Sequence, residues 1–142
     1  MAEALFRVEL ARAGLDGRWE VSSFGLAASP GVPASENACA AAAELGADLS
    51  AHRSRRAADV SLNAGDVFVG MTAGHAHALK TLPTRVFCIG EFFPEGAFPR
   101  EVPDPFGGTL ADYRAARDAV VSAFPWLIEF LGKTFDGKEK AR

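Results

Sequence analysis

The stretch Asp66-Val67-Phe68-Val69-Gly70-Met71 decides the fold. Its apolar residues are not interrupted by polar ones, the pattern of a strand covered on both faces. Thr72 to Leu79 follows as a helix of about two turns, and Arg85 to Ile89 is a second apolar run. Strand, helix and strand joined this closely form a parallel unit with a right-handed crossover.

Working outward, the chain keeps alternating. Residues 2–13 read as a helix, with Met1, Ala4, Leu5, Val8 and Ala11 on one face and Gly14 as its stop. Trp19 to Phe24 reads as a short strand running into a Gly, Ser and Pro-rich loop, Gly25 to Pro33. Residues 34–45 form an Ala-rich helix closed by Gly46, with side chains small enough to lie close against a sheet. Beyond Ile89, a loop holding Pro94, Pro99, Pro103 and Pro105 runs to Gly108. Thr109-Leu110-Ala111-Asp112 has the spacing of a capping box, with Asp112 in place of the usual Glu. It opens a long helix whose stripe is Leu110, Tyr113, Val120, Val121, Phe124, Ile128 and Leu131. Pro125 is expected to kink or split that helix. The class is therefore α/β, a three-layer α/β/α sandwich around a parallel sheet. One domain spans residues 1–131, and residues 132–142 form a frayed polar tail.

Bulk properties exclude several function classes. A chain of 142 residues that is 49% hydrophobic and 23% charged can bury one soluble core. A net charge of −3 gives no drive toward nucleic acid or an anionic membrane. Arg53, Arg55 and Arg56 are the densest basic cluster, read as a solvated turn. No apolar run reaches membrane-spanning length, and Met1 to Arg7 lacks the pattern of a secretory leader, so the expected compartment is cytoplasmic. Cys39 and Cys88 belong to no C-x-x-C pair, and His75 and His77 diverge on a helix, so no metal or other cofactor is expected.

The chemically suggestive segment is Asp104-Pro105-Phe106-Gly107-Gly108. An aspartate fixed before proline can serve as a general acid that protonates a leaving group. Equally, Asp-Pro closed by glycines is an ordinary turn, and this segment alone favours the turn.

The surrounding blocks change that balance. Met1-Ala2-Glu3-Ala4-Leu5-Phe6-Arg7 resembles the helix that follows the phosphate-binding loop in the low-molecular-weight protein-tyrosine phosphatase family. Ser22-Ser23-Phe24-Gly25-Leu26 is similar to the exit of its second strand, and Gly31-Val32-Pro33-Ala34 to its next helix start. Asp48 to Arg55 resembles a turn of bacterial members, and Met71-Thr72-Ala73-Gly74-His75 the end of the third strand. Val102 to Gly108, followed by Tyr113, resembles the acid loop and last helix. These blocks occur in family order over residues 1 to about 120.

The resemblance implies a sheet of order 2-1-3-4 and hydrolysis of phosphotyrosine or phosphoarginine on a phosphorylated protein substrate through a cysteinyl-phosphate. It implies Asp104 as general acid and Phe106 as lining the pocket mouth. Phenylalanine followed by two glycines is closer to bacterial members, including the protein-arginine phosphatases.

One departure governs mechanism. The family nucleophile lies in a C-x5-R-S loop ahead of this first helix, where backbone N–H groups hold phosphate and lower the thiol pKa. Six residues after Cys39 comes Leu45, and six after Cys88 comes Pro94, so neither cysteine fits. Both read as small core residues. The nucleophile cysteine and phosphate-binding arginine are thus absent from the chain, and the first strand with them. Trp19–Phe24 is left without a partner, an arrangement that costs stability. An internal methionine taken as the start explains this better than a truncated product. The chain as given is expected to be inactive. The alternative is a non-catalytic truncated remnant or partner-binding module. An arsenate reductase is disfavoured, because only Cys88 lies near the fourth strand where further redox cysteines are needed. An unrelated flavodoxin-like or sugar-transport component explains the elements but not the ordered motifs.

Overall fold

A computed structural model describes residues 1–97 and 99–139. Helix α1 spans Ala2–Arg12 and α2 spans Glu36–Ala43. Strand β1 (Val67–Gly70), helix α3 (Ala73–Leu79) and strand β2 (Arg85–Cys88) form the central unit, and α4 spans Leu110–Glu139. The helix ends follow local chemistry. Ser35 Oγ accepts from Ala38 N–H and Thr72 Oγ1 from His75 N–H, each an N-cap. Gly14 and Gly46, at φ +69 and +82, take the left-handed turns that end α1 and α2.

β1 and β2 pair in parallel with Val67 opposite Arg85 and Gly70 opposite Cys88. Alternation sets the two faces. Val67, Val69 and Phe87 pack on the core built by α1, α2 and α4, while α3 packs on both strands from the other side. Gly70 lies where a Cβ would stand 2.8 Å from His75 Cβ, so α3 sits almost on the β1 backbone. The architecture is thus an α/β sandwich with helices on both faces of a parallel sheet. Ile89 and Val120 are its most fully buried large side chains; each contributes roughly 1.5–3 kcal/mol by leaving water.

Three expectations change. Trp19–Phe24 forms no strand: among the described residues the sheet has two strands, β1 and β2. A strand exists only where a neighbour presents its N–H and C=O groups about 4.8 Å away, and no described segment does so alongside residues 19–24. That segment is held by side chains instead. The Arg7 guanidinium donates to the Val21 carbonyl, Ser23 Oγ donates to Glu3, and Phe24 meets Phe68 edge-on at 5.8 Å. Isolated bridges from Gly25 to Arg56 and from Pro33 to Arg53 tie down the loop beyond.

Pro125 does not split α4, which continues through it. Pro125 is solvent-exposed, and Phe124 and Leu127 beside it are buried, so packing on both sides holds the helix across the missing N–H. Nor does the helix fray at residue 132. It reaches Glu139 because Phe130 meets Phe87 edge-on at 4.9 Å and Arg85 lies 5.7 Å over the Phe135 ring. Residues 140–142 of the expected tail lie outside the described residues. No helix among the described residues is long and apolar enough to cross a membrane.

Candidate active site

The loop from Arg100 to Gly108 crosses the carboxyl ends of both strands, the side on which ligands bind in open parallel sheets. The Arg100 guanidinium donates to the Gly90 carbonyl at 2.8 Å, just past β2. Gly90 admits this approach because it has no side chain: a Cβ there would stand 1.7 Å from the Arg100 carbonyl oxygen. Val102 N–H donates to the Met71 carbonyl at 2.9 Å, just past β1. Between these two anchors, Glu101 Oε1 accepts from Ala73 N–H at 2.8 Å, at the first residue of α3.

Asp104 follows, set between Pro103 and Pro105. The second proline pushes Asp104 toward extended backbone. Its Oδ1 accepts from Phe106 N–H at 3.0 Å, closing a local turn. Gly108 N–H donates to the Pro105 carbonyl at 2.8 Å, with Gly107 at φ +75 between them. Asn37 Nδ2 then donates to the Gly108 carbonyl at 3.2 Å, which ties the loop to the first turn of α2. The backbone of this segment is that of an Asp-Pro turn closed by glycines. Asp104 is exposed and Phe106 is 85% exposed. The structure brings both to one open groove of about 580 Å³, shared with Phe93, Glu101, Asp112 and Ala119.

The start of α1 is organised around Glu3, which is only 9% exposed. Its carboxylate accepts from Ser23 Oγ and pairs with Arg7 at 2.8 Å and Arg55 at 3.9 Å. Burial, then the nearby amino terminus, push His52 below its ordinary value, with Arg55 and Arg7 acting the same way and Glu3 opposing. The arginine cluster behaves as a turn. Arg56 pairs with Asp59 at 3.0 Å, and Arg53 donates to the carbonyls of Ser50 and His52.

The cysteines stand apart from such chemistry. Cys39 Sγ, on α2, lies 3.9 Å from the carbonyl of Ala34 just ahead of that helix, and Cys88 Sγ lies 3.8 Å from the Arg100 carbonyl. Both are half-buried free thiols. Among the described residues no group of three or more His, Cys, Asp or Glu side chains could hold a metal ion. Two residues that organise the region escaped the sequence reading, Glu3 and Glu101. An acidic residue in a first helical turn or a loop is too common to stand out, and Ser23 and Arg55 beside Glu3, like Ala73 beside Glu101, are distant in the chain.

The fold and this loop define the class: a parallel α/β sandwich with an Asp-Pro loop strapped over the carboxyl ends of its strands. The family model described as low molecular weight phosphotyrosine protein phosphatase matches residues 1–137, and the chain belongs to that family. Solved structures agree. The low molecular weight protein tyrosine phosphatase of T. tengcongensis is 29% identical with a TM-score of 0.73, covering 90% of this chain and 87% of that one. A YwlE arginine phosphatase variant, cysteine replaced by serine and that active-site serine phosphorylated, is 29% identical with a TM-score of 0.77, covering 95% and 88%. The protein tyrosine phosphatase of Entamoeba histolytica, at 20% identity and a TM-score of 0.82 over 94% and 88%, supports the fold alone. Among curated proteins none matches the chain significantly.

Proposed function

We propose that this chain carries the acid half of a protein phosphatase site, with Asp104 as the general acid and Phe106 at the pocket mouth. Asp104 would give its proton to the leaving oxygen of phosphotyrosine, or the leaving nitrogen of phosphoarginine, as the bond to phosphorus breaks. As carboxylate it would then take a proton from the water that attacks the phospho-enzyme. The exposed Phe106 ring offers a face to a tyrosine ring or a guanidinium. Phosphorylated proteins are the proposed partners, and a cytoplasmic setting accords with two free thiols.

The observation that carries this reading is the strapping of the Asp104 loop over the ends of β1 and β2. The nucleophile is the other half. Neither Cys39 nor Cys88 has an arginine six residues on, so the 142-residue chain is proposed to be inactive by itself. The same absence supports a second reading, a non-catalytic module that binds a partner.

The acid role is tested by joining a strand and a C-x5-R-S loop ahead of Met1 and assaying aryl phosphate and phosphoarginine peptide. Asp104→Asn is expected to lower kcat by about 100- to 10,000-fold. Equal turnover by that variant would remove Asp104 from the mechanism.

A further inference from the structure

We infer that Glu101 is the positioning residue for Asp104, through its hydrogen bond to the first N–H of α3. This inference rests on the reading of Asp104 as the acid. Its basis is a short mechanical chain. Glu101 Oε1 accepts from Ala73 N–H at 2.8 Å, and the next residue, Val102, donates its N–H to Met71 at 2.9 Å. Val102 is only 5% exposed, so this point of the loop is fixed in the core. Asp104 is two residues further on. Pro103 fixes its own φ, and Pro105 restricts Asp104 to extended backbone. Few soft dihedrals therefore separate the Glu101 anchor from the Asp104 carboxylate, and displacement at one reaches the other. On the far side, Glu101 reaches the junction of β1 and α3. The acid loop is thereby indexed to the ends of the strands and not left to move with solvent.

A carboxylate on a helical first-turn N–H is also a common way to stabilise a helix. The experiment must separate that role from positioning. Ala73→Pro does so, because proline at the first helical residue suits α3 yet deletes the N–H that Glu101 accepts. Thr72, at φ −132 and ψ 162, already has the extended backbone that a following proline requires. The 142-residue chain is made as wild type, Ala73→Pro, Glu101→Ala and Glu101→Gln, and backbone ¹⁵N relaxation is recorded at the amides of Asp104, Phe106, His75 and Ala76.

Wild type is expected to show rigid amides at all four positions. In Ala73→Pro and Glu101→Ala, the heteronuclear NOE should fall at Asp104 and Phe106 while His75, Ala76 and the Tm stay near wild type. Glu101→Gln, which keeps the acceptor oxygen, should restore rigidity. Unchanged amides at Asp104 and Phe106 in Ala73→Pro would overturn the inference. So would loosening that affects α3 as much as the loop, since Glu101 would then be a helix cap only. These readouts follow the strap and not turnover, so their failure is distinguishable from failure of Asp104 as an acid.

Discussion

The guanidinium of Arg117 reaches from α4 to the carboxylate of Glu44 at the end of α2, 2.5 Å between Nη1 and Oε2. The same Nη1 donates to the Ala41 carbonyl at 3.0 Å, and Arg114 pairs with the other Glu44 oxygen. Arg117 is 8% exposed, so its charge depends on these partners and on Asp118.

Hydrogen bonds from Arg114 first, then from Arg117, hold Glu44 down to about 2 from its ordinary 4.5. A carboxylate depressed on folding stabilises the native state above its unfolded value. That contribution is lost as pH falls through the folded one. Glu44→Gln should therefore lower the Tm near neutral pH, and the gap to wild type should close as pH drops from about 4.5 toward 2. Paired thermal melts across that range check it.

Thr109 and Asp112 cap each other at the start of α4. Asp112 N–H donates to Thr109 Oγ1 at 3.3 Å, and Thr109 N–H donates to Asp112 Oδ2 at 2.7 Å. Thr109→Ala removes the side-chain half of this pair and should cost about 1 kcal/mol in denaturant unfolding.

Much of the fold was legible from such local punctuation. Gly14 and Gly46 end helices and Thr72 begins one as their chemistry demands, and Val67–Val69 with Arg85–Cys88 declare a parallel unit. Trp19–Phe24 misled because β-branched and aromatic content shows only fitness for a strand, whereas the neighbour makes one. Pro125 does not split its helix for a related reason, since buried packing by Phe124 and Leu127 outweighs one lost hydrogen bond. At the site, prolines and glycines made the turn around Asp104 and Phe106 readable, whereas the roles proposed for these two residues rest on the family resemblance. Glu3 and Glu101 were not readable, because their roles exist only through partners such as Ser23 and Ala73.

Gly90→Ala places a methyl group against the Arg100 carbonyl, a backbone atom that cannot rotate away. The cost should reach the upper range for overpacking, about 3 kcal/mol, and should disturb the loop that carries Asp104. Chemical denaturation measures the first effect and the Phe106 amide shift the second.

Pro125 is exposed inside α4 and supplies no N–H to the preceding turn. Pro125→Ala should restore that hydrogen bond and raise the Tm, because alanine is the better helix former by about 3 kcal/mol in a free helix. Part of that gain is offset by the greater freedom of the unfolded chain. A melt of the single variant checks the sign.

The proposed role of Asp104 is one half of a phosphatase site, and neither Cys39 nor Cys88 supplies the C-x5-R-S loop of the other half. Its most direct test is the rate of aryl phosphate hydrolysis by the purified 142-residue chain, compared with Asp104→Asn. The predicted result is background rate for both. Turnover above background that disappears in Asp104→Asn would contradict it.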